Sequence, residues 1–218
     1  MTDDRLKVRS YPQRARYDHE FAAEVLDAGR FGHLALTRDG FPHLVPMMYV
    51  RVDRAVHVHC RAGTELADEL TAGARVAFAV TLVDGMVLAN EVRFHSMNYR
   101  SLVVHGIAET VTDESAKRSS FNALAEHVWP GRNGLTPATT EQLSSVALFA
   151  LPLVEFSGKQ RTGPPLAGIT PPHPDVWAGH VDLQEFPVDF HQAVDGATAP
   201  VPHWPFGPVT PPDASGPL

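Results

Sequence analysis

Three short stretches of the chain gather side chains able to hold an anion or move a proton. In AVHVHCR, residues 55–61, strand alternation puts His57, His59 and Arg61 on one face and Val56, Val58 and Cys60 on the other. Ala62-Gly63-Thr64 follow and open a helix, whose first N–H groups and threonine hydroxyl suit a phosphate. The same residues also describe an exposed polar face ending in an ordinary threonine cap. His57-x-His59 begins a metal pattern of the cupin kind, but Glu65 falls one residue too far along and no second histidine cluster follows, so no metal is expected. In FHSMNYRSLVVHG, Asn98, Tyr99, Arg100 and Ser101 arrive together at a strand start, where an arginine among hydroxyls either holds a phosphate or closes a loop. In EFSGKQRTGPP, Lys159 and Arg161 share a strand face with Ser157 and suit an anionic ligand or an acidic neighbour. Cys60 is turned away from the histidines by the pleat and reads as a small core residue. The chain has no G-x-S-x-G elbow, no P-loop and no G-x-G-x-x-G after a strand, which removes serine hydrolases, P-loop hydrolases and Rossmann dehydrogenases.

Strands and short helices must position these groups. Residues 1–17 read as an extended basic arm with Arg5, Lys7, Arg9, Arg14 and Arg16, or as a plain solvated terminus. Asp18 caps a short amphipathic helix that ends at Gly29. GRFGHLALTR, FPHLVPMMYVRV and AVHVHCR are strand-like, joined by turns at Asp39-Gly40 and Asp53-Arg54 too short for crossovers, so the order is antiparallel. GTELADELTAG is helical, ARVAFAVTLVD is a strand, and Asp84-Gly85 is expected to turn it back. RSLVVHGIAETV reads as one strand. A helix opening at about Asp113 carries Phe121, Leu124, Ala125 and Val128 as a stripe and stops at Pro130-Gly131. After a polar helix near Thr140 to Ser145, SVALFALPLVEFSGKQR reads as one last long strand. Six or seven antiparallel strands with short helices describe a mainly β chain closing into a small barrel.

Composition narrows the function classes. Eighteen Lys and Arg against 25 Asp and Glu give a formal charge of −7 over 218 residues, which argues against a general nucleic-acid or anionic-membrane surface. One cysteine excludes an internal disulfide framework, and no apolar run approaches the ~18 residues of a membrane span, so a cytoplasmic protein is expected. Of 19 prolines, thirteen lie at or after Pro164. Three parts follow: an arm at 1–17, a body at 18–162 and a Pro-rich tail at 163–218. The tail's Trp177, Phe186, Phe190, Trp204 and Phe206 need a surface, so it should wrap the barrel or a partner subunit at least through about Leu183.

The order of blocks FGHLAL, Gly40-Phe41-Pro42, Val45-Pro46-Met47, HVHCRAG, HSMNYRS, Pro130-Gly131-Arg132, EFSGKQRTGPP and Trp177-Ala178-Gly179 resembles the pyridoxamine 5′-phosphate oxidase-like flavin-binding split-barrel proteins over about residues 10 to 185, in the branch related to nitroimidazole resistance. The resemblance implies a six-stranded antiparallel split barrel that pairs into a homodimer, with FMN at the dimer interface. It places Pro46, Met47 and Met48 along the isoalloxazine, and His59, Arg61 and Thr64 at the phosphate and ribityl chain. Asn98, Tyr99, Arg100 and Ser101 would complete the pocket, and Lys159 and Arg161 form its closing basic pair. The helix ELADEL departs from relatives that carry a Lys or Arg near Glu65. The implied function is an FMN-dependent oxidoreductase of a small soluble molecule, with His59 the candidate for proton transfer. The alternatives are a flavin carrier without turnover, a haem-binding split barrel with His57, His59 or His95 as axial ligand, or a deazaflavin-binding one.

Overall fold

The computed structural model describes residues 4–169, 175–185, 187, 189 and 191. Its core is an antiparallel split barrel of two sheets. The larger sheet runs β1 (Ala15–Arg16), β10 (Glu155–Arg161), β7 (Ser96–Ile107), β6 (Arg75–Leu88), β2 (Phe31–Arg38) and β3 (Phe41–Met48), with β11 (Gly179–Asp182) also paired to β6. The smaller sheet runs β4 (Val50–Val52), β5 (Ala55–Arg61), β9 (Val146–Pro152) and β8 (Glu109–Val111). Four helices complete the body: α1 (His19–Ala28), α2 (Glu65–Thr71), α3 (Glu114–Val128) and α4 (Thr140–Ser144).

Three runs that read as single strands are each broken, and each break carries the chain from one sheet to the other. β3 passes to β4 at Tyr49, β7 to β8 at Ala108, and β9 to β10 at Leu153-Val154. Burial makes these corners: Tyr49, Ala108 and Leu153 all point into the core. The Tyr49 hydroxyl donates to the Leu26 carbonyl at 2.9 Å and its ring meets Phe78 edge-on at 5.2 Å, which ties the first corner to α1. The expected turn at Asp84-Gly85 is instead an irregularity inside β6, where the register to β7 shifts between Val83 and Gly85. A bulge there bends the strand without reversing it.

The α1 helix forms because Asp18 accepts the Phe21 N–H at 2.9 Å and leaves Phe21, Ala22, Val25 and Leu26 on one fully buried face. Arg16 and that capping bond hold the Asp18 carboxyl down at about 2. Two glycines let neighbours approach. A Cβ on Gly32 would sit 2.3 Å from the Phe78 ring, and one on Gly158 would sit 2.5 Å from the Phe21 ring.

The basic arm lies along the barrel. Its β1 pairs with β10, Arg16 donates to Gln160 at 3.0 Å, and Arg5 meets Glu155 at 3.3 Å. Part of the tail pairs with the body as a strand: β11 runs antiparallel to Gly85–Leu88, and the Leu183 N–H donates to the Asp84 carbonyl at 3.0 Å. Trp177 packs against Gly179. Phe186, Phe190, Trp204 and Phe206 lie outside the described residues.

Candidate functional site

The partners of β6 change along its length. β2 pairs with it only over Ala77–Ala79, and β11 reaches it only from Gly85 onward. Between them the edge of β6 has neither neighbour, and a cavity of about 530 Å³ opens there. Thr81, Leu82, Val83 and Asp84 form its floor, Asp27 to Phe31 one wall, Arg100 another, and Leu183 to Glu185 of the tail the last. Gly29 is required in the first wall, since a Cβ would come within 2.7 Å of the Tyr49 hydroxyl. The Gly29 carbonyl accepts from His127 Nε2 at 2.7 Å, which sets that ring's tautomer.

Charges in the cavity are nearly balanced. Arg100 grips Asp84 with two nitrogens, at 2.7 and 3.0 Å, and reaches Glu24 at 2.9 Å. Asp27 is held by Arg51 at 2.7 and 2.8 Å. Phe31, Val83 and Leu183 supply exposed apolar surface. Arginine donors and carboxylate acceptors beside apolar walls suit a planar, uncharged ring whose edge both donates and accepts.

Register leads from the cavity edge across the outer face of the larger sheet, the face opposite the one that carries Leu82 and Arg100. Met48 pairs with Phe31, Thr81 with Ser101, Ser101 with Lys159, and Lys159 with Ala15, while Phe31 and Thr81 meet at the cavity. The row is apolar at Met48 and Phe31, hydroxylic at Thr81 and Ser101, and basic at Lys159. Thr81 to Lys159 is two strand spacings, about 10 Å.

Several expected residues fall on this row and others do not. Pro46 and Met48 are exposed on β3, an edge strand that can carry a proline without losing a ladder bond, and Met47 packs partly on the core. Tyr99 and Ser101 pair with Arg161 and Lys159. Asn98 and Arg161 are buried and bonded to each other, and Arg161 also donates to the carbonyls of Gly163 at 2.8 Å and Pro164 at 3.0 Å, so it clamps the exit of the barrel.

His59 and Arg61 lie on the smaller sheet, and Thr64 caps α2 just after it. His59 stacks edge-on against Phe121 of α3 at 5.1 Å, and His57 Nδ1 bonds Ser120 Oγ at 2.9 Å. Burial lowers the pKa of both rings, favouring their neutral form. The Thr64 hydroxyl is spent locally, accepting from the Ala67 N–H at 3.4 Å and donating to the Arg61 carbonyl at 2.8 Å. The ordinary cap is therefore what this threonine makes, and Glu65 and Asp68 occupy the first turn of α2. Cys60 packs against the core, where burial raises its pKa. Among the described residues no group of three His, Cys, Asp or Glu side chains could hold a metal. Sequence reasoning missed Phe31, Thr81 and Leu183 because only the pairing of distant strands makes them neighbours.

Residues 18–160 match the family model described as pyridoxamine 5′-phosphate oxidase. The chain belongs to the pyridoxamine 5′-phosphate oxidase family. Among solved structures of similar proteins is the flavocytochrome Anf3 from Azotobacter vinelandii, 28% identical, with a TM-score of 0.81 over 92% of this chain and 94% of that one. The FAD and heme binding protein from Mycobacterium smegmatis is 29% identical, with a TM-score of 0.75 over 86% of this chain and 94% of the other. A putative 5-nitroimidazole antibiotic resistance protein from Bacteroides thetaiotaomicron shares the fold, with a TM-score of 0.57 at 17% identity over 66% of this chain and 85% of that one. No curated protein sequence matches the chain. The family match spans α1 to β10, so every strand of the outer row except β1 lies within the part that carries the pyridoxamine 5′-phosphate oxidase fold.

Proposed function

We propose that the protein binds a flavin on the outer face of its larger sheet and acts as a flavin-dependent oxidoreductase of a small soluble molecule. The observation that carries this reading is the gap along β6, a cavity of about 530 Å³ from which hydroxyls and then a lysine lead away in register. The residues present fit the group: apolar walls at Phe31, Val83 and Leu183 suit the ring faces, and the Arg100–Asp84 pair, which lines the cavity from the opposite face of the sheet, stands at its polar edge. FMN is the form the short span from cavity to Lys159 favours. When bound, a flavin supplies hydride or electron exchange at its ring. Arg100 places a positive charge beside the cavity that favours electron uptake, and Asp84 and Glu24 moderate it. The tail residues Leu183 to Glu185 bound one side of the cavity.

The protein works, on this reading, as a cytoplasmic homodimer. β3 leaves Pro42, Leu44, Pro46 and Met48 exposed on an edge strand beside Phe31 and Phe41, an apolar face that a second copy would cover. Among the described residues, no helix is long and apolar enough to cross a membrane. The direct test is the colour of the purified protein and the flavin it releases on denaturation. Yellow protein that yields FMN is the expected result, and a colourless protein that leaves added FMN fluorescence unquenched overturns the reading. Bleaching of the bound flavin by NADH or NADPH without oxygen separates an oxidoreductase from a flavin carrier.

A second reading, a flavin and a haem together, is favoured by the two relatives near 30% identity described as a flavocytochrome and as a FAD and heme binding protein. Of the expected ligands, His57 and His59 are engaged by α3, whereas His95 is exposed beside the short helical turn Val92–Phe94. A Soret band that disappears in His95→Ala would decide for it.

A further inference from the structure

The α1 helix ends without the left-handed glycine that closes many helices. Gly29 is extended, φ −83° and ψ 154°, so the backbone leaves the helix axis at once and the carbonyls at this end turn to side chains. The Tyr49 hydroxyl donates to the Leu26 carbonyl at 2.9 Å, Arg30 Nη1 to the Ala28 carbonyl at 3.4 Å, and His127 Nε2 to the Gly29 carbonyl at 2.7 Å. This stretch of chain is also the cavity wall, Asp27 to Phe31. Arg51 of β4 grips the wall's first residue through the Asp27 side chain, whereas His127 of α3 holds its backbone.

The other end of α3 is fixed to the smaller sheet. The Ser120 hydroxyl donates to the Ala116 carbonyl at 2.9 Å, so it accepts from His57 Nδ1, also at 2.9 Å, and Phe121 stacks on His59. Ser120 and His127 are two helical turns apart on one face, a separation of about 10 Å. The helix therefore braces the cavity wall against β5, and the His127 ring is steadied by the Tyr49 ring, 5.6 Å away.

We propose that His127 is a positioning residue for flavin binding: by holding the Gly29 carbonyl it fixes where Arg30 and Phe31 stand at the cavity. This rests on the flavin reading and adds a residue that does not itself line the cavity.

Riboflavin titration of the apoprotein is the test, using His127→Phe, which keeps a ring beside Tyr49 and removes the donor, and His127→Gln, which restores a donor. His127→Phe should bind riboflavin about tenfold more weakly than the wild type, and His127→Gln within about twofold of it, the scale of one hydrogen bond. Ser120→Ala, at the far end of the same face, should lower the unfolding midpoint and leave the riboflavin affinity unchanged. Full affinity in His127→Phe, an equal loss in His127→Gln, or as large a loss in Ser120→Ala overturns the positioning role. Should His127→Phe not fold, His127→Asn, whose amide stops short of the carbonyl, takes its place. Hydrogen exchange without flavin reads the wall directly: residues 27–31 should exchange faster in His127→Phe than in the wild type or His127→Gln, with β10 unchanged. If that contrast appears while the wild type binds no flavin, the flavin reading falls and His127 still holds the wall. No contrast overturns the role of His127 whether or not flavin binds.

Discussion

Arg100 shows how one side chain can serve both packing and chemistry. It closes two ion pairs, with Asp84 and Glu24, and still lines the cavity. Arg100→Ala therefore removes a donor and leaves the Asp84 carboxylate unpaired at the cavity. It should weaken flavin binding by about 1.5–3 kcal/mol, read by fluorescence titration, and unchanged affinity would remove Arg100 from the site. Gly32 is a simpler case. Its missing Cβ is where the Phe78 ring sits, so Gly32→Ala forces a fully packed core to shift and should cost about 1–3 kcal/mol in denaturant unfolding. A substitution as well tolerated as a surface change would show that this core yields more easily than its packing suggests.

At the scale of elements, α3 decides what the β5 histidines are for. A strand pattern read alone puts His57, His59 and Arg61 on an open face, and that alternation is what the structure has. What the pattern cannot show is that a helix more than fifty residues later lays Ser120 and Phe121 over it. The histidines become part of a packed layer. Their folded-state pKa values lie below the ordinary 6.5 or so, because burial disfavours the charged ring, so the folded state binds fewer protons than the unfolded one. The stability they contribute is present above that ordinary value and is lost as pH falls below it. Unfolding experiments from pH 7.5 to 5 should show stability declining, and His57→Gln with His59→Gln should flatten the decline; an identical slope would assign it to other groups. The edge strand β3 carries the other test at this scale. If its exposed Leu44 sits in a dimer contact, Leu44→Asp should convert a dimer to a monomer in sedimentation, while a protein that is monomeric with Leu44 in place would discard the pairing.

Among the described residues, a segment near each end of the chain pairs with the body. The arm adds β1 and a basic cluster beside β10, and the tail adds β11 where β2 has left β6. Each covers part of a strand edge. A chain ending at residue 175 should keep the barrel, whose core among the described residues runs no further than Phe156, yet lose one cavity wall. The expected result is a cooperative unfolding transition at modestly lower temperature and a clearly weaker flavin affinity. Full affinity in the shortened chain would show that Leu183 to Glu185 do not bound the ligand.

The sequence by itself determined the local geometry: which runs extend, which residues share a strand face, that Asp18 caps a helix and Thr64 opens one, and that proline-rich chain with a tryptophan needs a surface. It also carried the family resemblance through the order of its blocks. Side-chain alternation has a period of two wherever a strand lies, so these features survive any arrangement of the strands. Only the tertiary structure decided which strand is whose neighbour. Met48, Phe31, Thr81, Ser101 and Lys159 form one row because β3, β2, β6, β7 and β10 lie side by side in that order, and the cavity exists because two strands share β6 and stop short of each other. Those pairings are set by burial of the common core and by corners at Tyr49, Ala108 and Leu153, which are long-range demands that no local spacing records.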